Sequence, residues 1–398
     1  MRVSVVGAGA FGRNHLRVYR ELEQAGAGVE LAACVEPNAG RAANVEAQYG
    51  IPVFAGVEEM LRANPHVDAA SVAVPTVHHH AVGSVLLDAG VDVLLEKPIA
   101  ATLAEADDLV AQAERAGRVL QIGHLERFNP AVLAVQPRLH RPMFFEAHRL
   151  SVYTPRSLDV DVVLDLMIHD LDIVLTFAAS PVREVRAVGL PIVSPKVDIA
   201  NVRVEFESGC VANFTASRVS TERVRKLRFF EPRQYVSIDY ARRDVIVIRI
   251  DDRTAAPVSP QLAAAAAEFL STGRVDFKLV QQLLAGGQIP APLLAQFMAA
   301  QGDKEKIKEL AHSLAGPADS ETSPGPAPGL SFVRPEVTPG EPLRLEIESF
   351  LDCVRTRQQP RVTARQGSDA LALALSIQET MAAHAHRSGL GDFFEGSL

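Results

Sequence analysis

The sequence predicts an α/β protein: an N-terminal doubly wound parallel sheet followed by an α+β domain with an open, mainly antiparallel sheet. Three observations carry this prediction. A glycine-rich turn follows the first apolar run, short β-branched runs alternate with amphipathic stretches over the first third, and alternating apolar and polar runs dominate after Phe128. We expect one domain over residues 1–125 and a second over residues 126–398.

The first third contains the alternating elements of a doubly wound unit. Its apolar runs predict strands buried on both faces, at residues 3–6, 29–35, 70–74, 91–95 and 119–122. Apolar residues at helical spacing predict the helices between them, at residues 13–24, 39–49, 57–63, 79–89 and 103–116.

The second part begins with a predicted helix at residues 162–177. Runs typical of an antiparallel meander follow at residues 184–191, 200–207, 211–217, 224–230, 235–239 and 244–250. An open sheet needs a cover, which predicts a homo-oligomer, a dimer or a tetramer, with a helix of the same chain as the alternative. Two amphipathic helices, at residues 341–357 and 368–384, are expected to pack against the earlier domains.

An insertion rich in Ala and Pro is predicted at about residues 254–340. Residues 320–329, SETSPGPAPG, resemble an extended linker, and helices are possible at residues 260–270 and 304–314. No residue of this stretch carries recognisable chemistry, so we expect peripheral packing there.

Composition excludes several classes of protein. The 398 residues include 47% hydrophobic and 22% charged residues, which is typical of a folded protein, and the net charge of −8 argues against nucleic-acid or membrane partners. The chain starts with a strand-like run and lacks signal-peptide features, so we expect a cytoplasmic location. The separated Cys34, Cys210 and Cys353 are interpreted as structural thiols.

The glycine-rich turn is Gly7-Ala8-Gly9-Ala10-Phe11-Gly12, between a buried strand and a helix. In this context the first glycine permits a tight turn, the second permits close approach of a pyrophosphate, and the third permits tight packing of helix on strand. Backbone amides at the start of the helix then face the anion. We therefore predict a dinucleotide site that includes Ala10 and Phe11.

The end of the second strand indicates which dinucleotide binds. Glu36 stands where an acidic side chain bonds the ribose hydroxyls and repels a 2′-phosphate, so NAD is favoured over NADP. Two alternatives remain. Arg41 on the following helix could bind the 2′-phosphate of NADP, and Glu36 could be a surface turn residue.

Further residues are predicted beside the cofactor. Pro75 and Thr76 follow the third strand and His79 begins the next helix, where a loop would line the dinucleotide. Consecutive histidines at a helix start do not face one another, so we expect no metal there.

Glu96, Lys97 and Pro98 directly follow the fourth major strand. Ligands of open α/β sheets bind at this carboxyl end, which predicts Lys97 in the active site and Glu96 as its charge partner beside the cofactor. A surface salt bridge is the alternative interpretation.

Asp165 and His169 are four residues apart in an apolar helix and share a face. A histidine is suited to proton transfer near neutral pH, and a neighbouring carboxylate favours its imidazolium form. The pair predicts oxidation of a hydroxyl. His169 is the expected general base and substrate contact, Asp165 orients the imidazole, and Lys97 is the polariser and proton-relay partner. Lys97 as the base, or a buried structural Asp–His pair, remain alternatives.

These motifs together resemble the Gfo/Idh/MocA oxidoreductase family. The resemblance is carried by GAGAFG at the start, EKP at residues 96–98 and the D-x-x-x-H pattern at residues 165–169. It implies a Rossmann domain, a catalytic domain whose open sheet forms oligomers, and NAD(P)-dependent dehydrogenation of a CH–OH group in a sugar or cyclitol. Lys97, Asp165 and His169 fall on the catalytic positions that the family implies.

A narrower resemblance implies a substrate. GHLERFNP at residues 123–130 and DLMIHDLDI at residues 165–173 are similar to the UDP-N-acetylglucosamine 3-dehydrogenase branch of the family. This implies oxidation of the 3-hydroxyl of the sugar nucleotide, with Arg127 and Asn129 near the substrate. The alternatives are a packing cluster with Asn129 as a helix cap, a free-sugar or inositol dehydrogenase, and a non-catalytic NAD-binding sensor.

Overall fold

The computed structural model describes residues 1–63, 66–154, 160–250, 306, 322–324 and 330–390. The chain forms two compact units. The first comprises Met1–Phe229, Ile238–Asp244 and Val337–Leu398, and the second comprises Phe230–Ser237 and Val245–Glu336. Within the described residues, no helix is both long and apolar enough to cross a bilayer.

The first unit contains a six-stranded parallel sheet in the order β3-β2-β1-β4-β5-β6. Its strands are β1 (Arg2–Val6), β2 (Glu30–Val35), β3 (Val53–Phe54), β4 (Ala69–Val72), β5 (Asp92–Glu96) and β6 (Leu120–Gly123). Its helices are α1 (Gly12–Gln24), α2 (Ala39–Tyr49), α3 (Val57–Ala63), α4 (His79–Asp88) and α5 (Leu103–Ala116). The predicted doubly wound fold is confirmed, and only the two-residue β3 was not predicted, because it is too short to show a period.

Local sequence explains where these helices begin and end. Thr102 caps α5, because its side chain accepts a hydrogen bond from the amide of Glu105 while the Glu105 carboxylate accepts one from the amide of Thr102. The helix ends at Gly117, whose φ of 61° is in the left-handed region. In α1, Leu16, Tyr19 and other apolar residues at helical spacing are buried against the sheet.

Four further helices belong to the first unit: α6 (Pro130–Val135), α7 (Ile168–Ala178), α8 (Pro342–Thr356) and α9 (Ala364–Arg387). The two C-terminal helices return to the parallel sheet, as expected. Ile347 and Phe350 of α8 share a core with Leu16 of α1, and Leu371 of α9 lies in the core that also contains Leu109 of α5. The sheet is therefore covered on both faces.

The helix predicted at residues 162–177 has an irregular first turn. Val163–Met167 are π-helical, and regular α-helix begins only at Ile168. Asp165 lies in the π-helical part and His169 in α7. Such π-helical turns inside helices are frequent at functional sites.

The second sheet of the first unit differs from a simple meander. It contains β7 (Phe144–Val152), β8 (Val182–Leu190), β9 (Ile199–Phe206), β10 (Val211–Ser220) and β11 (Val224–Glu231), in the order β11-β7-β10-β9-β8. The sheet is mainly antiparallel as predicted, but β7 was not predicted and pairs parallel with β10. This pairing joins strands that the helix α7 separates in the chain, so no local pattern indicates it.

One face of this sheet is covered by helices of the same chain. Along β9, Ala200 and Val202 are buried while Asn201 and Arg203 are exposed. On β8, a Cβ at Gly189 would lie 2.5 Å from the Met381 sulfur of α9, so this strand and α9 are in close contact. On this buried face the cover is a helix of the same chain, which was the alternative to a partner subunit. The homo-oligomer stays a prediction.

The second unit contains most of β12 (Gln234–Asp239) and β13 (Asp244–Ile250), with β14 (Thr322–Pro324) and β15 (Leu330–Val333). β15 pairs antiparallel with both β13 and β14. Most of the insertion predicted at residues 254–340, including the helix at 260–270 and all of the helix at 304–314 except Lys306, lies outside the described residues.

Candidate active site

The glycine turn forms a cradle with one open side. Gly7 has a φ of 93°, and its amide donates a 2.8 Å hydrogen bond to the carbonyl oxygen of Val35. A Cβ at Gly7 would lie 2.6 Å from the oxygen of Ala73, and one at Gly12 would lie 1.8 Å from the oxygen of Gly7. A Cβ at Gly9 would meet no atom within 4 Å. The outer glycines are thus required by packing, and Gly9 leaves space for a ligand, which fits a bound pyrophosphate.

The start of α1 faces this open side. Phe11 is the N-cap and makes no side-chain capping hydrogen bond, and Ala10 before it is exposed. The N-terminus of this 13-residue helix, which has no side-chain cap, favours an anion. The Phe11 ring contacts the ring of His15 edge-on, with the centroids 5.4 Å apart.

Glu36 lies at the end of β2, beside the glycine turn. Its carboxylate accepts hydrogen bonds from the amides of Ala8 (3.0 Å) and Asn38 (2.9 Å) and from the Arg41 guanidinium (2.8 Å). Burial alone would raise the pKa of Glu36, but these bonds outweigh it and hold the pKa below its usual value. Glu36 is therefore an ionised carboxylate at the position where the ribose is expected.

The loop after β4 carries three of the predicted cofactor residues. Pro75 is exposed and Thr76 begins a single 3₁₀ turn, so both are accessible to a ligand. His79 is buried, and its ring nitrogens lie 2.7 Å from the oxygen of Pro98 and 2.9 Å from the oxygen of Val74. These contacts show His79 supporting the two loops, with neither ring nitrogen left free for a dinucleotide.

Lys97 projects from the end of β5 across to the π-helical turn. The Lys97–Pro98 peptide bond is cis. The Nζ atom of Lys97 donates hydrogen bonds to the carbonyl oxygens of Asp165 (2.8 Å) and Leu164 (3.4 Å). Burial lowers the pKa of Lys97 although the carboxylates of Asp165 and Glu96 oppose the shift.

His169 is held as a neutral imidazole by its surroundings. Burial lowers its pKa well below the usual value, and the positive charges of Lys97 and Arg149 lower it further. Its Nδ1 atom has no hydrogen-bond partner among the described residues. A neutral imidazole beside a cationic lysine can accept a proton from a substrate hydroxyl.

Asp165 has a different neighbour from the one expected. Its negative charge acts on Lys97, whereas within the described part of the chain no hydrogen bond joins it to His169. The π-helical turn places the backbone oxygen of Asp165 on Lys97. The structure thus brings Lys97, Asp165 and His169 together, and Asp165 interacts with Lys97 instead of His169.

A buried ion cluster that the sequence did not indicate lies beneath His169. Arg149 of β7 binds both carboxylate oxygens of Asp170, at 2.7 and 3.0 Å, and one oxygen of Glu126, at 3.1 Å. Its guanidinium also lies over the ring of Tyr240, 5.1 Å from the centroid. Because Asp170 follows His169 directly, this cluster anchors α7 to the second sheet.

Arg127 and Asn129 are both buried in intramolecular contacts. Arg127 donates to the oxygen of Arg361 and to the side chain of Gln366. Asn129 caps α6 by accepting a hydrogen bond from the amide of Ala131, while its amide nitrogen donates to Glu126 and to the oxygen of Tyr240. The structure shows the packing cluster with an Asn129 cap, and it does not bring these residues to the open cradle.

Two family models match the chain. The oxidoreductase family model for the NAD-binding Rossmann fold matches residues 1–124, and the GFO/IDH/MocA C-terminal domain matches residues 131–233. The chain belongs to the Gfo/Idh/MocA family. It is accordingly an oxidoreductase that uses NAD, as the glycine turn and Glu36 predicted.

Relatives and solved structures agree with the family. The chain is 41% identical over 241 residues to UDP-N-acetylglucosamine 3-dehydrogenase of Acidithiobacillus ferrooxidans. The matched region spans 60% of this chain and 74% of the relative. It is 25% identical over 238 residues to an NAD-dependent scyllo-inositol 2-dehydrogenase of Bacillus subtilis, spanning 55% and 68%. A solved structure of the Acidithiobacillus enzyme has a TM-score of 0.73 at 29% identity and spans 96% of this chain and 98% of that one.

Proposed function

We propose that the protein oxidises the 3-hydroxyl of UDP-N-acetylglucosamine to a 3-oxo sugar nucleotide, with NAD⁺ as the acceptor. The 41% identity to an enzyme of that name supports the substrate, and the Lys97–His169 pair supports the chemistry. NAD⁺, when bound, accepts the hydride from the sugar carbon. The observation that carries the proposal is Lys97, at the carboxyl end of the parallel sheet, bonded to the π-helical turn that leads into His169, a partly buried imidazole whose pKa is lowered.

The residues of the site have separate roles in binding and catalysis. Gly9 and the amides at the start of α1 hold the pyrophosphate, and Glu36 holds the ribose. His169 accepts the hydroxyl proton because its pKa is far below the usual value. Lys97, fixed by the oxygen of Asp165, donates to the same oxygen of the substrate and stabilises the negative charge that develops on it.

Positive charge around His169 supports an anionic substrate. Lys97, Arg149 and Arg225 all lower the pKa of His169, so each lies near enough for its charge to act. Arg149 is already bound by Asp170 and Glu126, whereas the Nε atom of Arg225 is buried and has no hydrogen-bond partner in the described part of the chain. A guanidinium with a free donor is suited to a diphosphate. Arg225 on β11 was not indicated by the sequence.

A second candidate is a free inositol or sugar. The similarity to an NAD-dependent scyllo-inositol 2-dehydrogenase favours it. Such a substrate carries no phosphate for Arg225 to bind. The two candidates therefore predict different roles for Arg225.

A substrate panel tests the proposal. The purified protein with NAD⁺ is mixed with UDP-N-acetylglucosamine, free N-acetylglucosamine, myo-inositol or scyllo-inositol, and NADH absorbance is followed, with Lys97→Met as the background control. We expect turnover with the sugar nucleotide and formation of a 3-oxo product by NMR. Turnover with an inositol alone would support the second candidate, and no turnover despite NAD binding would indicate a sensor.

A further inference from the structure

Two buried histidines contact the residues on either side of Lys97, and neither has a role in the steps above. His15 belongs to α1, three residues after the last glycine of the turn. His79 begins α4, directly after the loop that contains Pro75 and Thr76. The two histidines are 0% and 1% exposed. Both therefore lie in the interior, on elements that are predicted to line the dinucleotide.

His15 binds Glu96, the residue directly before Lys97. The Nε2 atom of His15 lies 3.0 Å from the Oε1 atom of Glu96. A carboxylate only accepts hydrogen bonds, so Nε2 is the donor. Glu96 was expected to be the charge partner of Lys97, whereas its hydrogen bond joins the end of β5 to α1.

The residues around this bond fix its position. Glu96 pairs with Gly123 of β6, and a Cβ at residue 123 would lie 2.8 Å from the Glu96 carboxyl group. A larger residue there would therefore displace the carboxylate. On the other side, the ring of His15 packs edge-on against Phe11, the N-cap residue of α1. The bond thus connects the expected pyrophosphate site with the strand that leads into Lys97.

His79 binds Pro98, the residue directly after Lys97. Its Nδ1 atom lies 2.7 Å from the carbonyl oxygen of Pro98, and its Nε2 atom lies 2.9 Å from that of Val74. The ring therefore lies between the chain after Lys97 and the loop after β4. The backbone on each side of Lys97 is attached, through one histidine, to an element predicted to line the dinucleotide.

The side chain of Lys97 depends on the position of this backbone. Its Nζ atom donates to the carbonyl oxygens of Asp165 at 2.8 Å and of Leu164 at 3.4 Å, across the site. Hydrogen bonds weaken steeply as their length and angle depart from ideal values. A displacement of about 1 Å in a reacting group can lower a rate about 10²-fold. Small movements at the end of β5 should therefore affect catalysis.

We propose that His15 and His79 are positioning residues that hold Lys97 from both sides, through Glu96 and Pro98, in a fixed place relative to the dinucleotide. They bind the chain neighbours of Lys97 and act through it. The inference rests on the proposed function, which gives Lys97 its role in stabilising the developing negative charge. Precise geometry of a catalytic group requires supporting residues of this kind.

The two histidines use different ring nitrogens, which permits a crossed substitution test. The side-chain nitrogen of Gln replaces Nε2 of a histidine, and that of Asn replaces Nδ1. His15→Gln therefore retains the donor to Glu96, and His15→Asn loses it. His79→Asn retains the contact with Pro98, and His79→Gln loses it. Each pair of variants contains its own matched control, because both members replace the ring with an amide.

Kinetics with UDP-N-acetylglucosamine and NAD⁺ give the first readout. His15→Asn and His79→Gln should each lower kcat about tenfold or more, because Lys97 is released on one side. His15→Gln and His79→Asn should remain near the wild-type kcat. In the His15 pair the KM for NAD⁺ should change little, because the glycine turn and Glu36 are intact. Equal losses in the two members of a pair would indicate a general effect of losing the ring and would overturn the proposal.

A double-mutant cycle tests the bond between His15 and Glu96. In a Glu96→Ala background, His15→Asn should lower kcat no further, because the partner of the donor is already lost. Losses that simply add would contradict a shared role. Tyr19→Phe is the control for α1, since it removes a buried 2.8 Å contact with the Ser71 hydroxyl and leaves the neighbours of Lys97 in place. Its kcat should equal that of wild type.

The second readout needs no substrate. A short pulse of acetic anhydride acetylates accessible amines, and mass spectrometry compares Lys97 with Lys226 of β11, which serves as the internal standard. The ratio of Lys97 to Lys226 acetylation should rise several-fold in His15→Asn and in His79→Gln, because Nζ is freed from its backbone acceptors. It should stay at the wild-type value in His15→Gln, His79→Asn and Tyr19→Phe. An unchanged ratio in either His15→Asn or His79→Gln would overturn the proposal.

The remaining outcomes are also distinguishable. If His15→Asn does not fold, Glu96→Ala removes the same bond, and an unchanged acetylation ratio in that variant overturns the proposal. Absence of wild-type turnover with every sugar nucleotide overturns the proposed function, and the acetylation ratios then test the hold on Lys97 by themselves.

Discussion

The Nζ atom of Lys97 lies 2.8 Å from the backbone oxygen of Asp165 and donates a hydrogen bond to it. This bond joins the end of β5 to the π-helical turn before α7, and so it relates the parallel sheet to the helix that carries His169. A backbone acceptor holds the lysine without neutralising it. The remaining positive charge lowers the pKa of His169, so one residue remains a cation and the other a base.

Replacing His169 and replacing Lys97 should affect the pH profile of the reaction in different ways. His169→Ala should lower kcat by roughly 10²–10⁴-fold, because it removes the base, and should leave NAD⁺ affinity nearly unchanged. In wild type the acid limb of log kcat should lie below the usual histidine pKa of about 6.5, because burial and Lys97 lower the pKa of His169.

Lys97→Met removes the cation that lowers the pKa of His169. Activity should fall, and the acid limb of the residual activity should move to higher pH. Steady-state NADH absorbance from pH 5 to pH 9 measures both effects. His80→Ala is a suitable control, since His80 pairs with Asp108 at the surface of α4. An acid limb that stays in place in Lys97→Met would show that Lys97 does not act on the base.

Glu36 should determine the choice of dinucleotide. In Glu36→Ser the guanidinium of Arg41 loses its carboxylate partner at 2.8 Å and becomes available to a 2′-phosphate. The ratio of kcat/KM for NAD⁺ to that for NADP⁺ should fall by about tenfold or more, which corresponds to roughly 1.4 kcal/mol. Glu46→Ser is the control, because it removes an acidic residue from the helix that carries Arg41. An unchanged ratio would leave Glu36 a turn residue only.

Arg225 should distinguish a sugar nucleotide from a free sugar. Arg225→Met should raise the KM for UDP-N-acetylglucosamine by about tenfold or more, because a charge-assisted bond to phosphate contributes roughly 1.5–3 kcal/mol. Lys226→Met, on the same strand and paired at 4.0 Å with Asp239, should change it little. A KM that responds equally to both substitutions would indicate general electrostatics and remove the specific role of Arg225.

The Arg149 cluster should dominate local stability. Arg149→Met leaves the carboxylates of Asp170 and Glu126 buried without their cation, which should lower the free energy of unfolding by roughly 3–5 kcal/mol. Urea denaturation followed by circular dichroism measures this loss. Arg186→Met, at an exposed pair with Glu184, should lower stability by no more than about 1 kcal/mol. Similar losses in the two variants would contradict the assigned importance of Arg149.

The parts of the site that follow local patterns were predictable from the sequence. The glycine turn, Glu36 and Lys97 each stand directly after a buried strand, and strand ends in a parallel sheet meet at one edge. The parallel pairing of β7 with β10 was not predictable, because it joins segments separated by α7 and no local period encodes the partner of a strand.

Side-chain partners were the other part that sequence reasoning missed. Arg149 of β7 and Arg225 of β11 lie in register with the buried Phe145 and Leu227 of their strands, but strand register alone identifies neither the partners of a guanidinium nor a base near it.

The most direct measurement follows the hydrogen on the third carbon of the sugar. UDP-N-acetylglucosamine carrying deuterium at that carbon is incubated with NAD⁺ and the protein, and the reduced cofactor is analysed by mass spectrometry. The proposed function predicts one deuterium in each molecule of NADH formed, and a lower rate than with the unlabelled substrate wherever hydride transfer limits turnover. Reduced cofactor without the label would show that the hydride comes from another carbon and would contradict oxidation at the 3-hydroxyl.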